Sequence, residues 1–368
     1  MYTIGKKLFF VFLALTALNL QASIPRERIS LDRGWRFHLG HAAQPEKDFN
    51  FGLVSIFSKT GKSEGTAIDP RFDDSPWQKV DIPHDWVVEL PFVNHPSFDV
   101  MSHGYKPVGG FFPETSIGWY RRSFDLSPSD SLKRISLTFD GVFRDARFWL
   151  NGFYLGRNES GYIGVEYEVT DYVYFDRPNV ITVRVDATQY EGWFYEGAGI
   201  YRHVWLNKYD PVHIPAEGTF VFAEMKGDNA ELHWETEVKN SGHQDAGATL
   251  ITRLLTRDGV KVAEKTTPLR KIPKGKSVVV KDRFRVKKPR LWSLEDPYLY
   301  RVVQEVVAGG RLADCRVVRT GFRSLEWSPE KGFLLNGKQV KIKGVNMHQD
   351  HAGVGVALPD GLSWYRCT

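Results

Sequence analysis

Apolar and polar residues alternate along most of this chain with a period of two, in short runs broken by Gly, Asn, Asp and Pro. From residue 31 to about 208 the runs include SFDL, RISLTFDGV, DARFWLNGFYLG, NVITVRVDA and YRHVWLNK. A period of two sends successive side chains to opposite faces of an extended backbone, so each run predicts a strand. Asn151-Gly152 separates two aromatic-rich runs, and that dipeptide suits the positive φ angles of a tight hairpin. Many short strands without a helical period predict an all-β fold, opening with a jelly-roll β-sandwich.

A second block, from about 211 to about 327, continues the pattern in AELHWETEVKN, GATLITRLLT, KSVVVKDRFRVKK and LYRVVQEVVAGG. This even spacing predicts an immunoglobulin-like β-sandwich. The basic run at 270–290 surrounds SVVV and alternates with Phe284 and Val286, as the wet face of an edge strand does. That reading displaces a nucleic-acid patch. Beyond a second hairpin signal at Asn336-Gly337, residues 339–345 form an apolar-rich run ending in Asn346, His348, Asp350 and His351. A strand whose carboxyl end carries such side chains is how (β/α)8 barrels present their sites. The start of a barrel is therefore expected here, followed by a helix near Leu362.

Composition changes this picture in three places. The 368 residues are 42% hydrophobic, enough for real cores in two or three domains, which excludes global disorder. The net charge of +5 is mild and calls for no polyanion partner, so nucleic acid is not expected. Lys6 and Lys7 precede an apolar run over 8–20, shorter than the ~20 residues a membrane span needs. With Gln21-Ala22-Ser23 behind it, the run reads as an export signal over 1–22, leaving a periplasmic or secreted chain without membrane attachment. Cys315 and Cys367 are too few for a disulfide framework and are read as unpaired.

Seven stretches carry a more specific signal. They are FDDSPWQKVDIPHDW (72–86), GWYRRSF (118–124), FDGVFRDARFWLNGFYLGRNESGY (139–162) and GWFYEGAGIYRHVWL (192–206). PRLWSLEDPYLYRV (289–302), TGFRSLEW (320–327) and FLLNGKQVKIKGVNMHQDH (333–351) complete the set. In this order they resemble glycoside hydrolase family two, in particular its β-galactosidase-like members. The resemblance implies a jelly-roll sugar-binding domain over 23–211 and an immunoglobulin-like sandwich over 212–327. A truncated start of a catalytic TIM barrel would follow over 328–368. It also implies retaining hydrolysis of terminal β-galactosides by two glutamates, whose carboxyls must lie ~5–5.5 Å apart.

A barrel takes ~250 residues and only about forty follow Trp327, so the resemblance puts both glutamates beyond residue 368. On that reading this chain is inactive alone, and the segment 341–345 frays or pairs as an exposed edge. The ending WYRCT departs from the family pattern. Some family members bind Mg²⁺ or Na⁺, but most matching ligands would also lie beyond residue 368, so no cofactor is expected in this chain. The implied partner is an oligo- or polysaccharide with a terminal β-linked sugar. A stand-alone lectin-like pair of sandwiches is the alternative, although a lectin has no need of residues 338–366.

Five residues are candidates for binding substrate. His348 matches a family histidine at the terminal sugar, where a neutral imidazole bonds hydroxyls, and otherwise is a satisfied strand-end histidine. Asn346, His348 and Asp350 would share one face of a strand. A metal reading of this group with His351 lacks the i, i+4 spacing of helical zinc sites, so a hydrogen-bonded sugar subsite is preferred. Asp85, in IPHDW, either reaches over to vicinal sugar hydroxyls or caps its own loop. Trp193, beside Gly197 and Gly199, either stacks on a sugar or is buried at a domain junction.

Overall fold

In the computed structural model of the protein the described residues are 25–42, 65–90, 117–188 and 195–367. Residues 1–22, read above as an export signal, and Trp193 lie outside them. The all-β class holds, and among the described residues the single α-helix is Asp360–Cys367.

Two antiparallel sheets enclose the first core. One runs Arg26–Ser30, Val204–Tyr209, Arg134–Phe139 and Val165–Glu168. The other runs Gln78–Val80, Trp35–Leu39, Ile117–Phe124, Asn179–Asp186, Ala146–Leu150 and Phe153–Asn158. Trp35, Phe37, Tyr120, Phe148 and Ile181 from the six-stranded sheet meet Ile135, Leu137 and Leu206 from the other. The Asn151-Gly152 hairpin forms, with φ of 53° and 85° and Leu150 opposite Phe153. Arg121 is buried in this sandwich, and its Nε donates to Asp74 Oδ2 at 2.8 Å while Nη1 bonds the Ala67 carbonyl. One side chain thereby fastens the 65–77 loop onto the sheet.

The second sandwich packs Val212–His213, Asn229–Asn240, Thr219–Lys226 and Ser277–Val286 on a sheet of Lys261–Ile272, Ala246–Leu255, Tyr300–Ala308 and Arg311–Thr320. Burial alternates residue by residue along Asn229–Asn240, as period-two patterning requires. Leu232, Trp234 and Phe284 meet Leu254, Tyr300 and Val302 in the core. Between the sandwiches, Arg26 donates to both carboxylate oxygens of fully buried Asp314, at 3.0 and 2.8 Å. Cys315 and Cys367 are free.

Beyond the second sandwich, Leu325–Ser328, Gly332–Leu335 and Lys338–Gln339 form a small meander. Asn336 and Gly337 turn its second hairpin with φ of 52° and 73°. The strand expected over 341–345 as the start of a barrel does not form. These residues are irregular, and Ile342 and Val345 are 64% and 93% exposed. No neighbouring strand among the described residues takes up their N–H and C=O groups, and a lone strand gains nothing from being extended. Irregular, exposed backbone at 341–345 agrees with the expected fraying, but the residues further on are docked. At 351–357 the chain turns back and buries Val356 and Ala357 against Phe143 and Tyr201.

Candidate functional site

Asp85 is the hub of this docking. It caps the short 3-10 helix Trp86–Glu89, with Oδ1 accepting from Val87 N at 3.0 Å, and the same oxygen accepts from Ala198 N at 3.0 Å. Oδ2 accepts from the Tyr195 hydroxyl at 2.8 Å and from Val356 N at 3.0 Å. One carboxylate, 2% exposed, thus joins three segments far apart in sequence. All four acceptor sites are spent on protein donors, as in the loop-capping alternative. Burial pushes the carboxyl pKa up, against hydrogen bonds from Ala198, Val356, Tyr195 and Val87 that pull it down. Burial first, then the charges of Asp85 and Asp350, raises the Tyr195 phenol, which stays protonated and donating.

Two glycines make room for this carboxylate. A Cβ on Gly355 would sit 2.0 Å from Asp85 Oδ2, and one on Gly197 would sit 2.6 Å from it. Both residues also hold positive φ, of 59° and 69°, where a side chain is strained.

Two further anchors hold the last residues. His203 Nδ1 lies 2.8 Å from Asp32 Oδ2, and its Nε2 lies 3.2 Å from Asp360 Oδ1 on the terminal helix. Partial burial alone would lower the imidazole pKa, but bonds and charges from Asp32 and Asp360 outweigh it and raise the pKa. From the helix, Arg366 donates to the carbonyls of His348 at 2.7 Å and Asp350 at 3.0 Å. His348 and Asp350 are thereby tied to the terminal helix, with His348 Nδ1 4.0 Å from Asp350 Oδ1, and Asn346 lies two residues earlier on the same irregular, exposed stretch. They adjoin the first sandwich but are not on a strand. Behind Asp85, His84 Nδ1 meets the Tyr120 hydroxyl at 2.7 Å, and burial holds its pKa down to about 4, so the ring is neutral.

The sequence names Asp85, His348 and Asp350 but not Tyr195, His203, Arg366 or Gly355. Tyr195 does stand in the aromatic cluster that drew attention to Trp193. For a metal, Glu224, Glu231 and His233 bring ligand atoms within 4.8 Å of one another. Lys226 already lies 2.9 Å from Glu224, and Arg283 and Arg285 flank Glu231 at 3.6 and 3.5 Å, so an ion would have to displace them.

Comparison with known proteins gives this architecture its class. Residues 78–210 match the family model described as Glycosyl hydrolases family 2, sugar binding domain, and residues 212–323 match Glycosyl hydrolases family 2. The class is therefore a double β-sandwich that carries a sugar-binding domain. The chain belongs to glycosyl hydrolase family 2. The β-galactosidase BoGH2A of Bacteroides ovatus is 35% identical over 336 residues, which is 91% of this chain and 36% of that protein. A β-glucuronidase of Bacteroides fragilis is 27% identical over 95% of this chain and 45% of its own length. The crystal structure of a family 2 member from Bacteroides cellulosilyticus superposes with a TM-score of 0.76 at 30% identity, covering 92% of this chain and 42% of that one. The chain spans less than half the length of each of these relatives.

Proposed function

We propose that this chain is the sugar-binding front of an exported β-glycosidase that removes terminal β-galactosyl units from oligo- or polysaccharides. The observation that supports the reading is the docked segment: the first sandwich anchors Val356 through Asp85 and the terminal helix through His203, and Arg366 of that helix bonds the backbone of His348 and Asp350. The name of the Bacteroides ovatus relative supports galactose as the sugar. In this reading Asn346, His348 and Asp350 bond sugar hydroxyls, and Trp193 stacks on the ring. Asp85, first considered as a sugar contact, acts by positioning the segment. The two catalytic glutamates belong to barrel strands after residue 368, and retaining chemistry needs both of them.

The test is expression of the full reading frame and assay on aryl β-galactoside and aryl β-glucuronide. Galactoside turnover is expected to dominate, and His348→Ala to lower kcat/KM at least about 10-fold, as loss of one hydrogen bond to the bound sugar does. Preference for the glucuronide would overturn the substrate. Saturable galactoside binding without turnover would favour a lectin.

A further inference from the structure

A groove of about 560 Å³ opens on the second sandwich, between the edge strand Thr219–Lys226 and the end of Arg311–Thr320. That volume lies within the range of small-ligand sites. Phe222 and Leu325 form its apolar walls, and Trp292, Arg319, Thr320 and Arg323 supply the remaining chemistry. The groove shares no residue with the segment around His348.

Its base is fixed by backbone. Trp292 N donates to the Phe322 carbonyl at 2.8 Å, and the Trp292 carbonyl accepts from Asn336 Nδ2 at 3.0 Å. Gly321 lets the indole lie close, since a Cβ there would stand 3.0 Å from Trp292 Cβ and 3.3 Å from Leu299 Cδ2. Against this base, the Arg323 guanidinium lies 4.8 Å over the Trp292 ring. Stacking of this kind fixes the plane of the fork while leaving its N–H edge to bond a ligand. Among the described residues neither Arg319 nor Arg323 has a carboxylate partner, whereas Arg253, Arg283, Arg285, Arg290 and Arg311 of this sandwich do.

We propose that this groove binds an anionic saccharide, a sugar chain carrying a carboxylate, by placing the carboxylate on the Arg319 and Arg323 forks. Planar guanidinium forks match a carboxylate with two parallel hydrogen bonds, which a neutral hydroxyl cannot reproduce. The apolar face of the sugar ring lies on Phe222 and Leu325, and the Thr320 hydroxyl completes the contact. The assignment adds to the proposed glycosidase a second contact with acidic polysaccharide, away from the scissile bond.

The experiment is calorimetric titration of the full chain with trigalacturonate, and in parallel with galactotriose, inorganic sulfate and a short polyglutamate. Trigalacturonate is expected to bind at least about 10-fold tighter than galactotriose, the scale of one charge-assisted contact, and to weaken as salt is added. The double variant Arg319→Gln with Arg323→Gln is expected to bring it down to the galactotriose level. Both side chains are exposed, so the fold is expected to survive and unfolding curves to stay unchanged. His348→Ala is expected to leave this binding untouched, which separates its fate from that of the galactosidase reading. Equal binding of galactotriose, or trigalacturonate binding that the double variant retains, would overturn the assignment. Sulfate binding as tightly would reduce the groove to a simple anion site, and polyglutamate binding as tightly would make it a peptide site.

Discussion

Asp85 shows how much a single carboxylate can hold. Replacing it with Ala strands Val87 N, Ala198 N, Val356 N and the Tyr195 hydroxyl in a dry environment. Each unmet donor costs ~1–3 kcal/mol, and relief of the buried charge offsets part of the total, so a net loss of about 3 kcal/mol is expected from denaturant unfolding. Gly355→Ala attacks the same point from the other side, because its Cβ would overlap Asp85 Oδ2. It should release residues 351–367 to protease while the sandwich cores stay folded; unchanged protection would show that the segment is held by something else. This hub was only half legible. IPHDW marks Asp85 as important, but a cap and a sugar ligand look alike in sequence. Its decisive partner, Val356, lies 271 positions away in a stretch without distinctive pattern.

Elements were more readable than sites where local pattern alone decides them. Asn151-Gly152 and Asn336-Gly337 turn hairpins because Asn and Gly tolerate positive φ, a property visible in two letters. The run at 341–345 fails for the complementary reason: being a strand depends on neighbours that its own letters cannot supply. The terminal helix Asp360–Cys367, eight residues long, is too short to persist unaided and depends on its contact with His203. The His203 pKa is raised above the ordinary 6.5, so protonation and docking favour each other. The gain is complete below pH 6.5 and is lost as pH rises through the raised value. The protection of residues 360–367, measured as exchange relative to the intrinsic base-catalysed rate at each pH, should therefore fall as pH rises above 6.5, and His203→Gln should abolish that fall. The contact is partly exposed, so the change will be modest.

At the scale of the whole molecule, the two sandwiches have separate cores and meet at a buried ion pair. Arg26 also bonds the Ile214 carbonyl at 2.7 Å, while Asp314 accepts from Ile214 N at 2.8 Å and Cys315 N at 2.9 Å. Asp314→Ala leaves Arg26 without its counter-charge, with only the Ile214 carbonyl to accept from it, and two amides without acceptors, a loss on the order of 3–5 kcal/mol for breaking one side of a buried pair. Calorimetry is expected to show one unfolding transition in the wild type and two in the variant, as the sandwiches uncouple. A single transition at unchanged temperature would show that the pair does not join them.

The first strand also sets a clock for biosynthesis. Arg26–Ser30 has its partner in Val204–Tyr209, with Arg26 opposite Tyr209. A ribosome adding 5–20 residues per second needs roughly 10 to 40 seconds to travel from one to the other. Throughout that interval the nascent chain carries an unmatched β edge, and the four-stranded sheet cannot be completed. Export machinery that keeps a precursor unfolded until it has crossed a membrane would therefore meet no finished sandwich to unravel before residue 209 is made.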